Sequence, residues 1–293
     1  MDEIRKTTQL LLTSGAAIQE INTVRKHLSR IKGGQLARAA YPASVISLLI
    51  SDVVGDSLDT IASGPTSPDP TTFSDALAVL ERYELSGKVP RKVLDHLKRG
   101  AEGKIPETPK PGEECFRNVK NVIVASNSVA IEAAGRVGKA HGLNVSVLTT
   151  SMQGEAREAG AWLASIARGV IEAGRPVPKP ALRLSGGETT VTVRGKGIGG
   201  RSQELVLGAA MGISGLENVT IASFPTDGVD GPTDAAGAVA DGFTLKKAES
   251  LKLDPTSYLE RNDSFWFFKK LGDIIVTGQT GTNVMDMAIL IYV

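Results

Sequence analysis

From Val119 onward the chain alternates short apolar runs with longer amphipathic stretches. Strand signals fall at Val122–Ala125 and Val145–Leu148, helix signals at Ser128–Ala140 and Glu155–Ala173. Strands separated by helices and short turns return in parallel, so the pattern predicts a parallel sheet flanked by helices, an α/β fold. An earlier continuous run, Val45–Ile50, reads as a parallel strand covered on both faces. Helical spacing predicts helices over Ile4–Leu12, through Val24, Leu28 and Ile31, over Phe73–Tyr83 and over Lys92–Arg99. Past a Pro-rich stretch at 174–181, strands are expected at Leu182–Leu184, Thr190–Arg194, Val219–Phe224, Ala238–Ala240, Ile274–Val276 and Ala288–Tyr292. Helices are expected near Ser202–Met211 and Phe243–Leu251. The composition break predicts two domains, 1–177 and 178–293.

Composition removes several function classes. Thirty-three basic and 32 acidic residues leave a formal charge of +1, so no global field draws the chain to nucleic acid or an anionic membrane. No apolar stretch approaches a membrane span, and a single cysteine, Cys115, fits a reducing, cytoplasmic setting. His27, His96 and His141 are widely spaced without cysteine partners, which speaks against a structural zinc site and a Ser-His-Asp hydrolase. Trp162 and Trp266 are expected in the core.

The chemistry concentrates in four glycine-rich turns at strand ends: SGGETT (185–190), GKGIGGRSQE (195–204), TDGVDGPTD (226–234) and TGQTGTN (277–283). Glycine lets the backbone approach an oxyanion and aim successive N–H groups at it, so such loops suit phosphates. Gly195, Gly197 and Gly200 match a dinucleotide G-x-G-x-x-G, but the preceding Thr-Val-Thr-Val alternation describes a half-exposed strand, not the buried first strand of such a unit. Arg201, directly after the glycines at a predicted helix start, is the leading candidate to stabilise a transferring phosphoryl group; the competing role is an ion pair with Glu204. Asp52 and Asp56 follow one strand, and Asp227, Asp230 and Asp234 another, where carboxylates could hold Mg2+ or accept a hydroxyl proton. The basic strip Arg25, Lys26, His27, Arg30 and Lys32 reads as a solvated helix face or, through Arg25 and Lys32, as a contact for an anionic ligand. No Walker A or protein-kinase signature set is present.

Three ordered strings, SGGETTVTVRGKGIGGRSQEL, TDGVDGPTDAAGAVADG and GDIIVTGQTGTNVMDM, resemble the successive motifs of the MOFRL domain of class II glycerate kinases. INTVRKHLSRIKGGQLA and LLISDVVGDSLDTIASGPTSPDPTTFSDAL are similar to the domain that precedes it. The resemblance implies an incomplete Rossmann-like first domain followed by a MOFRL domain, with the active site in the cleft between. It also implies ATP- and Mg2+-dependent phosphorylation of D-glycerate to 2-phosphoglycerate.

By this likeness Arg201, Asp52 and Asp227 are catalytic, and Asp52, Asp227 and Asp234 hold metal. Nucleotide or substrate would meet Arg25, Lys32, Ser185, Gly186, Gly187, Glu188, Gly199, Gly200, Glu204, Thr226, Gly278, Thr280, Gly281, Thr282 and Asn283. Ser202 replaces a common Asn and Gln279 a usual Pro. Family members typically begin earlier, with a glycine-rich strand-turn bearing a lysine. The chain is therefore expected to lack neighbours of the 45–50 strand and to leave an edge open to homo-oligomeric association. The alternatives are an NAD(P)H-dependent hydroxypyruvate reductase and a catalytically incomplete ligand-binding fragment.

Overall fold

A computed structural model describes residues 1–173 and 178–293. The chain forms two compact units, Met1–Leu49 with Asp56–Val124, and Ile50–Gly55 with Ala125–Val293.

The first unit is largely helical: α1 (Asp2–Thr13), α2 (Ile18–His27), α3 (Gln35–Ala40), then β1 (Val45–Ile50), α4 (Phe73–Arg82), α5 (Arg91–Ala101) and β2 (Val119–Ala125). Leu11, Ile21, Val24, Leu80 and Leu97 form its core, apolar residues at helical spacing meeting from four helices. A capping box fixes the start of α4, with the Thr72 hydroxyl accepting from Asp75 N–H at 3.2 Å and the Asp75 carboxylate from Thr72 N–H at 2.8 Å. β1 and β2 form a two-stranded sheet. At its two ends Val45 N–H donates to Asn118 O and Ser51 N–H to Ala125 O, a register that steps forward on both strands and makes them parallel. β1 is not covered on both faces as its apolar run predicts: Ile46, Leu48 and Ile50 are 70%, 68% and 53% exposed.

The second unit contains α6 (Asn127–Ala140), β3 (Asn144–Met152), α7 (Ala156–Ala173), β4 (Ala181–Gly187), α8 (Arg201–Ile213), β5 (Val219–Pro225) and β6 (Gly237–Asp241). It continues through α9 (Thr244–Ser250), α10 (Pro255–Glu260), α11 (Ser264–Leu271), β7 (Ile274–Ile275) and β8 (Asp286–Tyr292). Six strands order as β3-β4-β8-β5-β6-β7. Only β3 and β4 pair in parallel, and the other neighbours are antiparallel, so the α/β class holds while the sheet is mixed. β3 pairs with β4 from Asn144–Ala181 to Met152–Gly187, so strands on either side of the Pro-rich stretch share one sheet. The packing boundary consequently lies near residue 125; the break expected near 178 adjoins residues 174–177, outside those described.

One sheet face packs Leu182, Leu184 and Met287 on Ile131 of α6. The other packs Leu290 and Tyr292 on Leu163 of α7 and Leu205 of α8. Helix α8 is buried continuously from Ser202 to Ala210, and a Cβ at Gly160 of α7 would strike the Leu205 carbonyl, so α7 and α8 approach backbone to backbone. Trp162 and Trp266, expected in the core, are 55% and 41% exposed.

Candidate active site

β8 inserts between β4 and β5, and its first residue, Asp286, lies opposite both Gly187 and Pro225 at the ends of those strands. Arg201, the first residue of α8, reaches this carboxylate in a bidentate fork, Nε to Oδ2 at 2.6 Å and Nη2 to Oδ1 at 2.9 Å. Its third nitrogen, Nη1, meets Glu188 at 2.8 Å. The pairing expected with Glu204 does not form; Glu204 is buried and takes the Arg157 guanidinium instead, from Nε at 2.8 Å. Burial by itself would weaken protonation of Arg201, but the hydrogen bond and charge of Asp286, with Glu188 and Asp230, outweigh it and hold the guanidinium above its ordinary value.

The N-terminus of α8 is capped from within. Asp230, 1% exposed, accepts Ser202 N–H at 3.1 Å and Gln203 N–H at 2.8 Å on its two carboxylate oxygens. Burial pushes its carboxyl up to about 6, against the opposing pull of those two hydrogen bonds. The donors that the sequence offers to a phosphate at this helix start are therefore taken by a side chain. The glycine run has a steric origin: a Cβ at Gly195 or Gly197 would run into Arg261 and Asp263, and at Gly200 into Asp230. These glycines pack against protein, which removes the dinucleotide reading of their spacing.

The strand expected at Thr190–Arg194 is instead an irregular strap, bridged at Thr190 to Glu155, a residue outside the named strands. Side-chain acceptors replace a strand partner. Thr192 N–H donates to Glu155, Arg194 and Gly195 N–H to Asn262 Oδ1 at 2.7 and 2.9 Å, and Ile198 N–H to Asp263 at 2.9 Å. Asn262 in turn donates to Glu204 at 3.1 Å and to Thr192 O at 3.3 Å.

Strap, α8 and the β5 loop enclose a cavity of about 840 Å3. Of the residues singled out from sequence it gathers Glu188, Gly197, Gly199, Gly200, Arg201, Glu204, Asp227, Asp230 and Asn283. Ser185, Gly186 and Gly187 are buried within β4, where Gly186 abuts Asn127. Thr226, Gly278, Thr280, Gly281 and Thr282 belong to two loops joined to each other. The Thr280 hydroxyl donates to Thr226 O at 2.6 Å, that of Thr226 donates to Met285 O at 2.8 Å, and Thr280 N–H donates to Asp227 O at 3.0 Å. Asp52 and Asp234 are exposed, and among the described residues no group of three or more His, Cys, Asp or Glu is arranged to hold a metal. Arg25 and Lys32 lie in the first unit, where Lys26 and His27 of the same strip are buried and not solvated: Lys26 pairs with Asp59 and Asp69 at 3.1 and 3.4 Å.

Comparison with known proteins places this geometry in context. Residues 1–98 match a domain of unknown function, DUF4147, and residues 181–286 match the MOFRL family. A glycerate 2-kinase of Pyrococcus horikoshii is 47% identical over 99% of this chain, which spans 65% of that relative's length. A putative hydroxypyruvate reductase of Agrobacterium vitis is 42% identical over 98% of the chain and 73% of its own length. The crystal structure of a glycerate kinase from Thermotoga maritima superposes with a TM-score of 0.91 at 46% identity, covering all of this chain and 67% of its own. With two family models matched in order and this fold shared over its full described length, the chain belongs to the glycerate kinase family, in the class that carries a MOFRL domain.

Proposed function

We propose that this chain takes part in ATP-dependent phosphorylation of D-glycerate at its 2-hydroxyl, giving 2-phosphoglycerate. The observation that carries the reading is Arg201: a guanidinium fixed by the buried Asp286, bordering the cavity, with one nitrogen held only by the half-exposed Glu188. An arriving phosphoryl group can displace Glu188 from Nη1 while the Asp286 fork keeps the guanidinium plane in place, so stabilisation of developing charge needs little reorganisation. Asp227, which lines the cavity, is better placed than exposed Asp52 to accept the hydroxyl proton.

The charged lining is otherwise acidic, with Glu188, Glu204, Asp227 and Asp230 against Arg201. A triphosphate entering such a wall requires a countercharge, which supports Mg2+ as the second partner. Mg2+ is commonly held by one or two carboxylates together with substrate phosphates, and Asp227 fits that role. When bound, the ion supplies neutralisation of phosphate charge. Single Cys115 and the lack of any helix among the described residues long and apolar enough to span a membrane support a cytoplasmic setting. Association between copies belongs to the same reading, supported by the uncovered face of β1.

Purified chain supplied with D-glycerate, ATP and Mg2+ should release ADP and form 2-phosphoglycerate, identified by phosphorus NMR. NADH oxidation with hydroxypyruvate and no ADP release would replace this reading with a reductase. Nucleotide binding without turnover of either substrate would leave a ligand-binding protein.

A further inference from the structure

The loop that delivers Asp286 to Arg201 ends in a strained residue. Met285, buried and directly before β8, sits at φ 68°, a left-handed conformation unfavourable for a long side chain. Such a residue persists only where its surroundings over-determine it. Two side chains do so here. Asn127, the first residue of α6 and 2% exposed, donates from its amide nitrogen to Val284 O at 3.0 Å and to Asp286 O at 2.9 Å, so one amide bridges the residues on either side of Met285. Thr226 holds the same turn: its hydroxyl accepts Val284 N–H at 2.8 Å and donates to Met285 O at 2.8 Å.

With both amide protons of Asn127 directed at carbonyls, the orientation of its side chain is fixed, and Oδ1 is left buried with no partner among the described residues. A leucine in its place would remove that orphan and lose both donors, so what the asparagine adds here is its nitrogen. Room for the amide comes from Gly186 of β4, where a Cβ would overlap Asn127 Oδ1 and Cγ. Gly186 does not have the positive φ that would demand glycine on its own, so close approach to Asn127 accounts for it.

We propose that Asn127 is a positioning residue for Arg201. By bridging Val284 and Asp286 it fixes the Met285 turn, which sets where the Asp286 carboxylate enters β8 and hence the plane in which the Arg201 guanidinium is held. The catalytic consequence rests on the kinase reading; the geometric one does not.

Asn127→Asp tests it in the full chain, keeping the shape while replacing two donors with a carboxylate that faces two carbonyls. In arginine side-chain NMR the Arg201 Nε–H signal, identified by its loss in Arg201→Lys, should exchange slowly with water in the natural chain. In Asn127→Asp it should exchange about tenfold faster or more, because Nε is the atom that Asp286 Oδ2 holds. With D-glycerate and ATP the variant should lose about tenfold or more in kcat while both KM values stay within about twofold, the pattern of an interaction made in the transition state. Gly186→Ala should reproduce both effects by displacing the amide, yet add little to either in an Asn127→Ala background, where there is no amide to displace. If Asn127→Asp fails to fold by circular dichroism, Thr226→Val, which removes the hydroxyl from the same turn, replaces it with the same expectation. Fast exchange already in the natural chain, unchanged exchange in folded variants, or losses that add across the Gly186 and Asn127 pair overturn the proposal. So does a raised KM with kcat intact. Faster Arg201 exchange in the variants of a chain that makes no ADP overturns the kinase reading and leaves the positioning role standing.

Discussion

At the scale of single residues, Arg201 does two jobs that mutation can separate. It borders the cavity, and it is the counterion of Asp286, whose side chain is only 3% exposed. Arg201→Ala should therefore reduce turnover by about two to three orders of magnitude and also cost about 3 kcal/mol of stability, because it strands a buried carboxylate. Arg201→Ala with Asp286→Ala should recover much of the stability by urea titration and none of the turnover. Recovery of turnover would show that Arg201 acts only as a structural partner. Asp230 gives a pH signature. Its folded-state carboxyl, raised to about 6 by burial, binds its proton more tightly than in the unfolded chain, where about 4 is ordinary. Its contribution is thus fully present below about pH 4 and lost as pH rises through 6, a change of about 3 kcal/mol. Asp230→Asn should flatten that part of the stability profile; an unchanged slope would mean that Asp230 is ionised throughout. Arg201 was readable in the sequence because a cation directly after glycines at a helix start is a local pattern. Asp286, a lone acid in VMDMAIL, has no such signal and gains its meaning only when β8 inserts between β4 and β5.

At the scale of elements, β8 was legible because its apolar run is buried, whereas the similar run of β1 marked a strand without marking burial on both faces, since Ile46, Leu48 and Ile50 are exposed. The strap was misread for a related reason: Thr190–Arg194 alternates like a half-buried strand, yet the partners that satisfy its N–H groups are side chains contributed from Glu155 and Asn262. Helix α10 carried an unused local signal, Asp254 before Pro255, with the Asp254 carboxylate accepting Thr256 and Ser257 N–H. Asn262 is the strap's main anchor and itself sits at φ 55°, a conformation asparagine tolerates better than most residues. Asn262→Ala removes its hydrogen bonds and strains the backbone, and should cost about 2–4 kcal/mol. Asn262→Gly removes the same bonds without the strain. In both variants amide exchange over residues 191–198 should accelerate by an order of magnitude or more. Fast exchange in the alanine variant alone would locate the effect in backbone strain and not in the latch.

At the scale of the molecule, each unit carries its own hydrophobic cluster, built around Leu11, Val24, Leu80 and Leu97 in one and around Leu163, Leu205, Ile221 and Phe267 in the other. The sequence pointed to two bodies divided at the Pro-rich stretch, whereas packing draws residues from 125 onward into the second unit, where β3 before that stretch pairs with β4 after it. Pairing between distant strands is not written in local composition, so the packing division near residue 125 and the composition break near 178 mark different features of the chain. Two cores permit two unfolding transitions. Both tryptophans, Trp162 and Trp266, lie in the second unit, so indole fluorescence reports that unit alone, while far-ultraviolet circular dichroism sums the helices of both. In a urea titration the two signals should give different midpoints, and Leu80→Ala, a cavity in the first core costing about 2–5 kcal/mol, should shift the dichroism curve while leaving the fluorescence midpoint in place. Coincident curves that move together in the variant would show that the cores unfold as one cooperative body.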